Sequence, residues 1–226
     1  DSAQRVTMKS SYACVHCGEM QQQLYKSYGP DLLKLSRCSR CNHVVDEYIE
    51  MEFSIVLIDA VLQKLEAYRH IIFNVGMGRP WKIALLFLLG EALEHWMSRQ
   101  QTHKAGYDLE WHFYIICLFL IASNAIFIAM VILLTSVSTR CLCDRTLLAR
   151  AVILGSYGKL LALPANLWGC DRYQSQLFLA TFFLFSQVQA CRAVTGMGRL
   201  QTAAIVFASY SFQRSLNIWM SPFLWP

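Results

Sequence analysis

Cys14-Val15-His16-Cys17-Gly18 and, with twenty residues between Cys17 and Cys38, Cys38-Ser39-Arg40-Cys41 are the stretches on which the reading of this chain turns. Zinc takes four ligands in a tetrahedron, and two C-x-x-C turns each offer two thiolates with the right bite. The interval follows the C-x2-C-x15–20-C-x2-C zinc pattern. Gly18, directly after Cys17, permits the positive φ that such a turn commonly needs. The spacing predicts one structural zinc on Cys14, Cys17, Cys38 and Cys41, and iron in a rubredoxin-like site is the alternative the same ligands leave open. A thioredoxin-like redox pair would use a single C-x-x-C opening a helix within a βαβ pattern, which is not seen. A RING-type ligase needs more ligands than these four cysteines. His16 and His43 adjoin them but read as spectators, because four thiolates already fill the tetrahedron. A closed site of this kind folds a domain rather than catalysing.

Beyond this polar start the chain is strongly apolar. Of its 226 residues 55% are hydrophobic and 15% charged, with a mean hydropathy of +0.35. A soluble domain carries about 25% charged residues, so much of this surface faces lipid. The net charge of +5 is concentrated before Trp81 and thin after Arg145. That basic end suits an aqueous compartment and anionic headgroups. No basic run is interleaved with aromatics, so no nucleic-acid partner is expected. Residues 1–52 hold no apolar stretch of signal-peptide type. The remaining cysteines (Cys117, Cys141, Cys143, Cys170 and Cys191) lie in or beside apolar segments and read as reduced thiols.

The stretch 53–74 places Phe53, Val56, Leu57, Ala60, Val61, Leu65, Tyr68 and Ile72 at helical spacing, interrupted by Asp59, Lys64, Glu66 and Arg69. It is too charged to span and amphipathic enough to lie in the membrane interface or to pack on the zinc domain. Gly76, Gly78 and Pro80 break it. Five segments then approach the ~20 apolar residues a crossing requires: Trp81–Trp96, His112–Val137, Leu147–Trp168, Tyr173–Cys191 and Leu200–Met220. Trp81, Trp96, Trp111, Trp168 and Trp219 fall near their ends, where indole rings favour the headgroup zone. The expectation is an α-helical multi-pass membrane protein of five spans, or four if Leu200–Met220 lies on the surface. Lys64, Arg69, Arg79, Lys82, Arg140, Arg145, Arg192 and Arg199 share one side; Arg99, Lys104 and Arg172 fall on the other. The positive-inside rule then sets a cytosolic N-terminus, which also suits a reduced thiolate site.

Charges inside a membrane are costly and usually face partners. Glu91 lies ~15 Å along its helix from Trp81 and Lys159 ~18 Å from Leu147, at 1.5 Å per residue. These matching depths make Glu91 and Lys159 a candidate intramembrane pair; the plainer reading has Lys159 snorkelling and Glu94 and His95 at the interface. Ala151/Gly155 and Gly158/Ala162 give small-residue spacing for close helix approach. Pro164 predicts a bend near the lumenal end of its span. No G-x-S-x-G, P-loop or H-E-x-x-H occurs, and His70 and His95 lack a visible nucleophile or metal partner, so the expectation is a non-enzyme.

Several blocks together resemble one family. Tyr12-x-Cys14-x2-Cys17-Gly18, then Cys38-x2-Cys41-x4-Asp46-x-Tyr48-Ile49-Glu50, then Ala67-Tyr68-Arg69-His70-x2-Phe73-Asn74 look like the Arv family of endoplasmic-reticulum membrane proteins. Gly90-Glu91-Ala92, Trp111-x-Phe113-Tyr114 and Ser156-Tyr157-Gly158-Lys159-Leu160-Leu161 continue the resemblance to about residue 195. It implies residence in the endoplasmic-reticulum membrane, extending to the Golgi. It also implies a role in sterol (cholesterol) transport and sterol/sphingolipid homeostasis, with links to bile acids and to glycosylphosphatidylinositol-anchor synthesis. The four cysteines match the family's zinc ligands, and Tyr48, Tyr68, Arg69 and His70 match its signature. Expected partners are membrane lipids, sterol among them, and lipid-metabolic proteins of that membrane. The expected organisation is a zinc-ribbon-like Arv homology domain (1–52), an interfacial helix and linker (53–80) and a transmembrane domain (81–226). The rival readings are a scaffold for anchor-lipid enzymes and a cryptic lipid-modifying enzyme using Glu91, His95 or His70.

Overall fold

The computed structural model describes residues 12–27, 33–100, 109–139, 144–168 and 172–224. Lys104, Arg140, Cys141, Cys143 and Cys170, which entered the sequence reading, lie outside the described residues. The chain divides into two compact units, 1–77 and 78–226.

The first unit starts as two minimal hairpins. β1 (Tyr12–Ala13) pairs antiparallel with β2 (Met20–Gln21), and β3 (Tyr25–Ser27) with β4 (Leu33–Leu35). Strands of two or three residues bury too little to hold themselves. Their core is Tyr12, Cys14, Leu24, Cys38 and Val45. A single 3-10 turn, Tyr48–Glu50, leads into α1 (Phe53–Val61). Gln63 closes α1 with φ +62°, its N–H donating to Ala60 O and that of Lys64 to Asp59 O. That is a Schellman ending, with glutamine where glycine is usual. α2 (Leu65–Arg69) runs straight into a π turn, His70–Val75, ended by Gly76 at φ +76°. Val15, Tyr48, Val56, Ala60 and Ala67 make a second cluster. The stretch 53–75 therefore packs into the first unit's core, well past residue 52. α1 buries only Val56 and Ala60 and leaves Phe53, Leu57, Ile58 and Leu62 exposed, Phe53 by 71%.

The second unit is helical: α3 (Pro80–Gln100), α4 (Leu109–Thr139), α5 (Arg145–Gly155), a 3-10 stretch (Ser156–Leu161), α6 (Ala162–Leu167), α7 (Arg172–Thr195) and α8 (Arg199–Leu224). Among the described residues, three segments are long and apolar enough to cross a membrane: Trp111–Ser138, Arg145–Ala165 and Tyr173–Thr195. This is a membrane protein. Trp81–Trp96 and Leu200–Met220 fall within α3 and α8, which are not among those three. Lys82, Glu91 and Glu94 lower the hydropathy of α3, and a run of Gln, Ser and Thr lowers that of α8.

Close approach builds this bundle. A Cβ on Gly155 would meet Gln187 Oε1 at 3.0 Å and Ala190 Cβ at 3.2 Å, and Ser186 Oγ donates to Gly155 O at 2.8 Å. α5 and α7 touch backbone to side chain there, as small-residue spacing allows. Phe127, Val131, Leu148, Val152, Phe183, Cys191 and Val206 form the main core. A 3-10 stretch, Ser156–Leu161, runs up to the turn before Pro164, which sits in α6. A proline removes the N–H that would reach back to that turn, so irregular backbone there is in keeping with the expected bend.

Candidate metal centre

Each C-x-x-C forms a knuckle, and the two are built alike. Gly18 N donates to Cys14 O at 2.8 Å, and Asn42 N to Cys38 O at 3.0 Å. Cys14 N donates to Glu19 O and Cys38 N to His43 O. The residue after the second cysteine is left-handed in both, Gly18 at φ +79° and Asn42 at φ +58°. Asparagine tolerates that region better than most residues, which is why the second knuckle works without glycine.

The two knuckles bring all four sulfurs within 4.8 Å of one another. Cys14 and Cys41 Sγ lie 3.7 Å apart and Cys17 and Cys38 Sγ 3.6 Å apart. A disulfide would need ~2.05 Å. A tetrahedral ion with Zn–S bonds of ~2.3 Å needs sulfur–sulfur edges near 3.8 Å. The residues therefore fit a metal ion held by four thiolates. Burial pushes the Cys14 thiol up to about 12 and also raises Cys17. Burial acts the same way on Cys38, but the backbone N–H groups of Cys41 and Arg40 outweigh it and bring that thiol down to about 7. His16 and His43 stay out of the set: their rings stand 4.9 Å apart, and His43 Nδ1 lies 3.0 Å from Cys41 O.

Three of the residues singled out as signature, Tyr48, Arg69 and His70, meet around this centre. Arg69 is 7% exposed, and its Nη1 donates to Val15 O at 2.9 Å and His16 O at 2.6 Å. Burial lowers its pKa, while the nearby Glu66 carboxylate and the Cys17 and Cys14 sulfurs oppose that shift. His70 Nδ1 lies 2.7 Å from Asp46 Oδ2. A carboxylate only accepts, so Nδ1 is the donor. Asp46 is fully buried and also receives Tyr48 N at 3.0 Å and Asn74 Nδ2 at 2.6 Å. Asn74 bonds Ala13 in both directions, at 2.9 and 3.0 Å. Tyr48 OH donates to Asp59 Oδ2 at 2.9 Å, and Tyr68 OH to Gln63 Oε1 at 3.1 Å. Asp46 and Asn74 carry this network, yet the sequence reading gave them no role. Their signal was His70 and Asn74, two polar residues four apart within an apolar helix. The Asp46–His70 pair has the form of a base and its orienter, but His70 is 6% exposed and bonds no serine, threonine or cysteine among the described residues.

In the second unit the structure brings Glu91 and Lys159 together. Lys159 Nζ donates to Glu91 Oε2 at 2.8 Å and to Asn124 Oδ1 at 2.7 Å, and it stands 5.3 Å from the centre of the Phe183 ring. Asn124 Nδ2 closes the triangle to Glu91 Oε2 at 3.1 Å. The ammonium has three donors, and two acceptors plus an aromatic face use them up. Glu94 and His95 stand apart from this cluster, 4.0 Å from each other.

Residues 13–191 match the model of the Arv1-like family. Among curated relatives, Protein ARV1 of Mus musculus is 34% identical over 87% of this chain and 79% of its own length. Protein ARV1 of Bos taurus is 35% identical over 83% of this chain and 71% of its own length, and that of Homo sapiens 33% over 83% and 74%. No solved structure matches. With the knuckles, the signature residues and the segments Trp111–Ser138 and Arg145–Ala165 all inside the matched region, the chain belongs to the Arv1-like family.

Proposed function

We propose that this protein is a non-enzymatic mediator of sterol transport and sterol/sphingolipid homeostasis in the endoplasmic-reticulum membrane, carrying one structural zinc on Cys14, Cys17, Cys38 and Cys41. Family membership across residues 13–191 is the observation that carries this reading. The closed thiolate set supports a folding role for the metal, and the enclosed His70 and Lys159 support the absence of catalysis. The exposed apolar face of α1 suits a lipid surface, since a patch of this kind on a small unit seeks cover.

Five spans, with the N-terminus cytosolic and the C-terminus lumenal, fit the bundle best. Gln213 Nε2 donates to Ser123 O at 3.0 Å and Ser123 Oγ at 2.8 Å, and Asn217 Nδ2 reaches the same Oγ at 3.0 Å. Val206 and Tyr210 share a cluster with Phe127 and Val131. α8 therefore runs antiparallel along the middle of α4, the most apolar span, which supports a crossing rather than a surface helix. A glycosylation acceptor appended after Pro226 should be modified in cells; an unmodified acceptor would favour four spans.

The decisive test is photo-crosslinking of a sterol probe to the purified full chain, with metal content measured on the same sample. Saturable, competable labelling is expected. A zinc-loaded protein that takes no label would remove direct carriage and favour the scaffold for glycosylphosphatidylinositol-anchor enzymes.

A further inference from the structure

We propose that the helical stretch Leu65–Val75 is the clamp of the metal centre, with Arg69 as its buried counter-charge and positioning residue. The inference rests on the metal reading above. A divalent ion on four thiolates leaves a net negative charge, and burying it unpaired is expensive. Arg69 is the one buried arginine or lysine among the described residues of the first unit. Its guanidinium covers Gly18, with Nη2, Cζ and Nε 3.3, 3.4 and 3.6 Å from where a Cβ would stand. Its Nε is buried and has no hydrogen-bond partner among the described residues. The group thus keeps donor capacity and positive charge beside the first knuckle.

The grip has a second point. Arg69 takes the carbonyls of Val15 and His16, just after Cys14, and Asn74 takes the backbone of Ala13, just before it. Arg69 and Asn74 are five positions apart, which an α-helix would turn ~140° from each other. The π winding of His70–Val75 brings residues five apart closer to one face, so both side chains reach the segment around Cys14. His70 and Asn74 meanwhile hold Asp46, in the segment that follows the second knuckle. One helical face therefore braces both arms of the ligand set. Outer-shell groups of this kind typically change metal affinity by roughly 10–100-fold.

The test uses the full chain in detergent, following transfer of bound metal to a chromophoric chelator. Arg69→Met should release metal roughly 10–100-fold faster than the parent, and Arg69→Lys should fall between them. Lys34→Met, which removes an exposed cation on β4 outside both knuckles, should stay within about twofold of the parent. An Arg69→Met protein that holds metal like the parent, or a Lys34→Met protein that loses it as fast as Arg69→Met, would overturn the proposal. Should Arg69→Met fail to fold, hydrogen exchange on the parent decides. Chelation should strip protection from 65–75, and unchanged protection there would refute the clamp. A parent chain that carries no metal at all would instead sink the metal reading itself.

Discussion

Gly18 meets two demands at once. Its φ of +79° is strained for any residue with a Cβ, and the Arg69 guanidinium stands only 3.3 Å from where that Cβ would be. Gly18→Ala should therefore destabilise the first unit by about 1–2 kcal/mol from the backbone alone, more if Arg69 is displaced. Thermal unfolding of the metal-loaded chain measures it. Asp59 offers a pH-dependent counterpart. Lys64 Nζ at 2.9 Å, and then the Tyr48 hydroxyl, hold its carboxyl below the ordinary carboxylate range despite some burial. A depressed folded pKa contributes stability above the unfolded value of ~3.9 and loses it as the pH falls further. Asp59→Asn should cost up to about 1 kcal/mol at neutral pH, because Lys64 is half exposed, and that difference should shrink as the pH falls below the ordinary carboxylate value. Denaturant titrations at neutral and at acid pH would show it. The ligand cysteines were legible because ligand spacing is local and chemical. Asp46 was not, because a lone aspartate in a loop gives no sign of the three donors that fold around it.

Among elements, the Arg145–Ala165 segment shows what sequence could and could not supply. Matching the depths of Glu91 and Lys159 needed only the helical rise, and the two side chains do meet. Asn124, which completes their cluster, sits on a third helix whose rotation no spacing rule fixes. The 3-10 stretch also carries a close contact that no spacing rule foretells: Gly158 faces the Phe182 ring at 2.8 Å from a would-be Cβ. The π turn was equally hidden, since its register depends on partners in the knuckles. The polar triangle makes a quantitative claim. Lys159→Met leaves a half-buried carboxylate without its cation and should cost about 3–5 kcal/mol. Glu91→Gln with Lys159→Met together should recover most of that loss, as read by thermal unfolding in detergent. Strictly additive single and double variants would deny the coupling.

For the whole molecule, each unit closes its own core, the first around the sulfurs and the second around Phe127, Val131 and Phe183. Chelation should therefore abolish exchange protection in 12–27 and 33–77 while leaving most of the far-ultraviolet helical signal, which α3 to α8 supply. Loss of that signal in parallel would show the two units to be one cooperative system. The order of partners along the chain has a consequence for how the bundle is made. A lysine at mid-membrane costs about 2.5–3.5 kcal/mol on insertion scales, so the Arg145–Ala165 segment is a poor passenger by itself. Glu91 and Asn124 both precede Lys159, and synthesis runs from the N-terminus. On the five-span reading proposed above, the nascent lysine would reach the bilayer after its carboxylate and amide, and a chain begun after α3 would deliver a stranded charge to the insertion machinery.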